Sequence, residues 1–222
     1  MSNIVNVSQL TKTLGNVRII DDVSFNIEKG EFLAIQGPSG SGKTTLLGLL
    51  AGLEKADDGN IVVADKELTS MTEDELAIFR RYNVGFIFQS FNLIPTLNVV
   101  ENIALPLFPE HISRKIMFER AGEVAKAVGL TQRLDHYPNE LSGGEQQRVA
   151  VARSLINEPK VIFADEPTGN LDSKTGEKMI ELLRQLNKEK GQTFVLVTHD
   201  DKIAKESDRI IKLVDGRIAY EN

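Results

Sequence analysis

The sequence predicts an α/β chain built around a phosphate-binding loop: a parallel sheet, an antiparallel β layer in front of the loop, and a helical subdomain inserted between two sheet strands. Three observations carry that expectation. Gly37-Pro38-Ser39-Gly40-Ser41-Gly42-Lys43-Thr44 sets a glycine, four residues and Gly-Lys-Thr between a strand-like apolar run and a helix-like one. Val84–Phe88, Val161–Ala164 and Phe194–Val197 are short apolar runs of the kind that buried parallel strands present. Between the first two of these runs, from Ser90 to Leu155, helical signals dominate.

Taken in order, Ile4–Leu10 and Val23–Ile27 read as strands, and the turn Glu28-Lys29-Gly30-Glu31 has the chemistry of a hairpin leading into Phe32–Gln36. Phe32–Gln36 delivers the chain to the glycines, whose backbone N–H groups can turn inward around phosphates. The helix read over Thr45–Ala51 adds its positive N-terminal end. Lys43 is expected to reach the β- and γ-phosphates and Thr44 to hold Mg²⁺ through its hydroxyl. Ile61–Ala64 adds another strand to the antiparallel layer. In the helical region Met117, Ala121, Val124, Ala125 and Val128 recur at helical spacing, with Gly129 where a C-cap belongs, and that stripe is read as core. The expected division is a core of residues 1–89 and 156–222 with a helical subdomain at 90–155, an organisation that 222 residues accommodate.

Bulk properties narrow the function. Charged residues make up 26% and hydrophobic residues 41%, a soluble composition, and runs such as Leu46–Leu53 fall well short of the roughly 20 apolar residues that span a bilayer. Membrane association is therefore expected only through a partner. A net charge of −6 argues against a general nucleic-acid binder. The chain has no cysteine and no charged-then-apolar leader, so it is expected in the cytoplasm.

Val161-Ile162-Phe163-Ala164-Asp165-Glu166 ends an apolar strand in two carboxylates at the sheet edge where α/β proteins bind ligands. Asp165 is the expected Mg²⁺ partner, directly or through a water, and Glu166 is placed to orient and deprotonate an attacking water. His199, after the run Phe194–Val197, and Gln89, after Val84–Phe88, come to the same edge. His199 is expected to contact the γ-phosphate and Gln89 to meet the metal or the water. Leu141-Ser142-Gly143-Gly144-Glu145-Gln146-Gln147-Arg148 combines a capping box, Ser142 with Glu145, and a glycine pair that a cap alone does not require. The pair leaves N–H groups exposed at a helix start, a second anion site that makes most sense if it reads the nucleotide on another copy of the chain.

These residues, in this order and together with Asn170-Leu171-Asp172, resemble the nucleotide-binding subunit of an ABC transporter over essentially the whole chain. The resemblance implies a P-loop NTPase fold with a RecA-like ATP core and a head-to-tail dimer that closes over two ATP molecules. It further implies that Ser142, Gly143 and Gly144, with Glu145, serve the ATP of the opposite subunit, that Asp172 supports the dimer seam, and that transmembrane permease subunits bring the chain to the inner face of the membrane. Val84–Leu97 followed by Glu101-Asn102, and Thr168–Asp172, are similar to the lipoprotein-release and macrolide-export branch, and Arg133-Leu134-Asp135-His136 looks like its YbbA-type ATPases. A soluble relative acting on DNA or ribosomes is the alternative; such chains insert a coiled coil or carry two ATPase units, and no heptads or repeats are present here. A P-loop kinase or GTPase leaves the Leu141–Arg148 stretch unexplained.

One position departs from the family pattern. Where many relatives stack an aromatic ring on adenine, this chain has Leu14. Base-to-aromatic stacking is worth about 1–3 kcal/mol, so discrimination of ATP from GTP is expected to be modest. Parallel turnover assays should give similar rates for the two nucleotides, and a strong preference for ATP would refute the expectation.

Overall fold

The computed structural model describes residues 2–221. In chain order the strands are β1 (Asn3–Leu14), β2 (Val17–Glu28), β3 (Phe32–Gln36), β4 (Asp58–Val63), β5 (Lys66–Glu67), β6 (Val84–Ile87), β7 (Val161–Asp165), β8 (Thr193–Thr198), β9 (Arg209–Val214) and β10 (Arg217–Glu221). The helices are α1 (Lys43–Leu50), α2 (Glu73–Asn83), α3 (Val99–Ala104), α4 (Arg114–Ala127), α5 (Gly143–Leu155), α6 (Ser173–Lys190) and α7 (Asp201–Ala204). Between β6 and β7 every described element is helical. Met117, Ala121, Ala125 and Val128 are buried there, Val124 is partly buried, and Gly129 takes the left-handed φ of +76° that closes α4.

The strands form two sheets: an antiparallel one ordered β2-β1-β4-β5, and one ordered β10-β9-β3-β8-β7-β6 that is parallel except for β10. The central strands are apolar on both faces because they separate two cores. Leu33, Ile35, Phe163, Val195 and Val197 pack with α1 and the antiparallel sheet. The alternating residues Phe32, Ile162, Ala164, Phe194 and Leu196 pack with α3 to α6. Period-2 alternation thus divides each strand between the two sides.

The expected hairpin at Glu28–Glu31 does not form. A turn is present, with Gly30 at φ +83°, but it passes the chain from one sheet to the other: β2 pairs with β1, whereas β3 lies parallel between β8 and β9. The reason lies in burial. β2 alternates exposed and buried positions along much of its length, and Phe32 to Ile35 are all buried, which only a strand covered on both faces satisfies. The hairpin of this region is instead β1–β2, closed at Gly15-Asn16.

Register brings the functional strand ends together. Gln36 lies opposite Thr198, Asp165 opposite Val197, and Ile87 opposite Ala164, so the segments that follow β3, β8, β7 and β6 leave one edge of the sheet.

Candidate active site

After Gln36 the chain turns through residues 37–42 and enters α1 at Lys43. Gly42, the N-cap, has φ +98°, and a Cβ there would sit 2.7 Å from the Ile19 carbonyl oxygen; a Cβ on Gly37 would sit 2.1 Å from that of Leu213. Neither position admits a side chain, so the loop's path is set by backbone packing from β2 and β9. No side chain caps α1 and its first turn holds no acid, which leaves its positive end undiminished. Lys43 is buried, and its Nζ donates to the carbonyl oxygens of Gly37 (2.9 Å) and Pro38 (2.8 Å), inside the curl of the loop.

A cleft of about 570 Å³ opens over this loop. Ser39, Gly40, Lys43, Thr44 and Thr45 form its floor, Glu166 and His199 close one side, and Leu14 and Ile19 give it an apolar wall. Leu14 is half exposed there, so the position expected beside the base does reach the cleft. Ile19 was not singled out in the sequence; only the isolated apolar pair Ile19-Ile20 between Arg18 and Asp21 marked it. A larger groove of about 1100 Å³ runs between α6 and residues 200–206 and contains none of the phosphate-loop residues.

The carboxylates occupy the end of β7. Thr44 Oγ1 donates to Asp165 Oδ1 at 3.1 Å. Burial raises the Asp165 carboxyl above its ordinary value; the Thr44 hydrogen bond opposes the shift and the Glu166 carboxylate adds to it. Glu166 follows in a left-handed conformation, φ +43°, with its N–H bonded to Val197 O at 3.0 Å. A non-glycine residue held in that region costs of order 1–3 kcal/mol and is found where surrounding structure fixes it. The Glu166 side chain, Oε1, lies 2.9 Å from His199 Nδ1.

The other predicted residues form a second group. Gln89, two residues beyond β6, does not line the cleft: its side chain rests where a Cβ on Gly169 would fall, 2.6 Å from Nε2, and its carbonyl accepts from Asn170 Nδ2 at 2.9 Å. Ser142 caps α5 in the expected box. Its N–H donates to Glu145 Oε2 at 2.9 Å, and its Oγ accepts from the Glu145 N–H at 3.3 Å. Arg133 bonds the same carboxylate at 2.8 Å; with the Ser142 N–H it holds the Glu145 carboxyl down at about 2. Gly143 abuts Leu171, and a Cβ on Gly144 would lie 2.6 Å from Thr175 Cγ2. Asp172 caps α6, accepting from the Thr175 N–H at 3.1 Å, and that bonding lowers its carboxyl. The Ser142–Gly144 corner therefore packs on residues 170–175 and is absent from the lining of its own chain's cleft.

Two α5 residues passed over in the sequence hold neighbouring loops. Gln147 Nε2 donates to Pro167 O, and Arg153 donates to the carbonyls of Phe91 and Asn92, both at positive φ. Gln147 sits in the polar run Glu145-Gln146-Gln147-Arg148, so no local signal marked it as buried.

A family model described as ABC transporter matches residues 20–169. The lipoprotein-releasing system ATP-binding protein LolD of Bacteroides thetaiotaomicron is 45% identical over 214 residues, 96% of this chain and 98% of that protein. The macrolide export ATP-binding/permease protein MacB of Rhodopirellula baltica is 47% identical over 205 residues; the match takes in 91% of this chain and spans only 30% of MacB. Among solved structures, the ATP-binding cassette MJ0796 of Methanocaldococcus jannaschii, a dimer in a post-hydrolysis state bound to ADP and Pi, superposes with a TM-score of 0.89 at 44% identity. That alignment covers 98% of this chain and 97% of the other.

Proposed function

The chain belongs to the ABC transporter family, and from that premise we propose that it is the ATP-binding and ATP-hydrolysing subunit of a transporter, acting as a head-to-tail dimer on a membrane partner. The observation that carries this reading is the division of the site. Lys43, Thr44, Glu166 and His199 share one cleft, whereas the Ser142–Gly144 anion corner lies elsewhere on the same chain.

In the proposed cycle Lys43 exchanges the Gly37 and Pro38 carbonyls for the β- and γ-phosphates, and the phosphate-loop N–H groups complete the cradle. Thr44 and Asp165 fit a Mg²⁺ site: a hydroxyl and a carboxylate already within hydrogen-bond distance are hard oxygen donors. Mg²⁺ beside phosphates needs only one or two protein ligands besides its waters. When bound, the ion neutralises charge on the β- and γ-phosphates. Glu166, oriented by His199, takes a proton from a water whose oxygen attacks the γ-phosphorus; the bond from that phosphorus to the bridging oxygen breaks, and ADP and inorganic phosphate result. Gln89, at the β6 edge, would meet the metal or the water once the dimer closes, and the region after it would pass closure to the membrane partner. Asp172 lies at the dimer seam, and Glu145 holds Ser142 in position for the facing nucleotide.

No helix among the described residues is long and apolar enough to cross a membrane. The chain is placed at the cytoplasmic face of the membrane by permease subunits, and the choice of cargo, a lipoprotein or a macrolide-like amphiphile by analogy with the named relatives, rests with those subunits. Two linked measurements test the proposal. ATP turnover by the purified chain should fall to background on chelation of Mg²⁺ and return when the ion is restored. A tagged chain recovered from detergent-solubilised membranes should bring an integral membrane protein with it; recovery only with ribosomes or DNA would overturn the transporter reading.

A further inference from the structure

Gln147 is fully buried in α5, where the nearby residues Val149, Ala150, Val151 and Ala152 are buried and apolar. Its Nε2 donates to Pro167 O at 2.6 Å, and its Oε1 has no hydrogen-bond partner among the described residues. An amide buried with one end unpaired costs more than an apolar side chain in the same space. The single bond it makes must therefore matter for something other than filling the core. Its acceptor follows Glu166 directly. Pro167 has a ring-locked φ, so only ψ of Glu166 and ψ of Pro167 are soft between the anchored carbonyl and the Glu166 Cα. On its other side Glu166 is tied to β8 through Val197 O, and its own carbonyl accepts from the Gly169 N–H at 2.9 Å.

We infer that Gln147 is a positioning residue for hydrolysis: through Pro167 it holds Glu166 in its left-handed conformation and makes the placement of that carboxylate depend on α5, the helix whose first turn carries Ser142–Gly144. The two half-sites of one chain are then mechanically joined. A nucleotide gripped by the α5 start of one chain sets the geometry of that chain's Glu166, which acts on the other nucleotide. This rests on the proposed role of Glu166 as the base.

The test is Gln147→Met, which keeps the volume and removes the donor, in the full chain. It should retain the parental far-ultraviolet dichroism and a KM for ATP within about twofold, while kcat falls about tenfold, the factor expected from loss of one well-placed hydrogen bond. Combined with Glu166→Gln, it should cause no further loss, since it acts only through Glu166. Parental kcat in Gln147→Met, or an undiminished tenfold loss in the Glu166→Gln background, overturns the inference. Wild-type turnover in Glu166→Gln alone overturns the underlying reading instead. Gln147→Glu gives a second readout that also covers failure of the methionine variant to fold. A buried carboxyl donates to Pro167 O only when protonated, so its kcat relative to the parent should rise between about pH 8 and about pH 6. A flat ratio counts against the inference.

Discussion

Glu166→Gln is expected to lower ATP turnover by about 10²- to 10⁴-fold, the range set by loss of a positioned general base, while ATP binding stays intact. The two effects separate because binding and proton removal use different side chains. Lys43, Thr44 and the loop N–H groups are untouched by the substitution, and the amide keeps the size of the carboxylate and can still bond His199 across the 2.9 Å gap that Glu166 Oε1 now spans. It cannot accept the proton of the attacking water. With the γ-phosphate retained, nothing releases the closed state, so the variant should accumulate as an ATP-bound dimer on size exclusion where the parent returns to its resting distribution. Normal hydrolysis by a variant that stays monomeric with ATP would remove Glu166 from the mechanism.

What could be read in the sequence follows from which constraints are local. The phosphate loop was legible because its function demands glycines and a lysine at covalently fixed spacings, and Gly37 and Gly42 do stand where a Cβ meets a carbonyl oxygen. Strands β3, β7 and β8 announced themselves by being apolar on both faces. The hairpin assigned to Glu28–Glu31 shows the limit: turn chemistry reports that the chain reverses, not which sheet the next strand joins. Strands β9 and β10 were passed over although Asp215-Gly216, both at positive φ, is a hairpin signal and Ile210-Ile211 and Leu213-Val214 precede it; Arg209, Lys212 and Arg217 break the apolar pattern there. Within the site, Glu166 and His199, which follow their own strands, line the cleft as the sequence placed them. Contacts made across the chain were not legible. Gln147 touches Pro167 twenty residues away. Gln89 reaches the predicted edge of the sheet, but Gly169 and Asn170 decide where it rests.

The proposed composite site makes a prediction that no single-chain site can meet. Lys43→Ala removes the phosphate-binding cation of one half-site, and Ser142→Arg blocks the other with a bulky charge at the start of α5. Each purified variant alone should be inactive, since in a head-to-tail pair of identical chains every site contains one broken half. Mixed in equal amounts, half of the pairs should be hybrids. Each hybrid joins the intact phosphate loop of the Ser142→Arg chain to the intact Ser142–Gly144 corner of the Lys43→Ala chain, restoring one site of two and hence at most roughly a quarter of parental activity, less to the extent that Gln147 makes Glu166 depend on its own chain's blocked α5 start. Ser142 also caps α5, so its replacement costs about 0.5–2 kcal/mol of stability, and melting curves must show that both variants remain folded before mixing. If cross-linking finds the hybrid and turnover stays at background, the two halves do not complete one another. If the Ser142→Arg chain is active alone, the phosphate loop needs no neighbour, and the position of Ser142–Gly144 outside the cleft would then be a feature of folding alone.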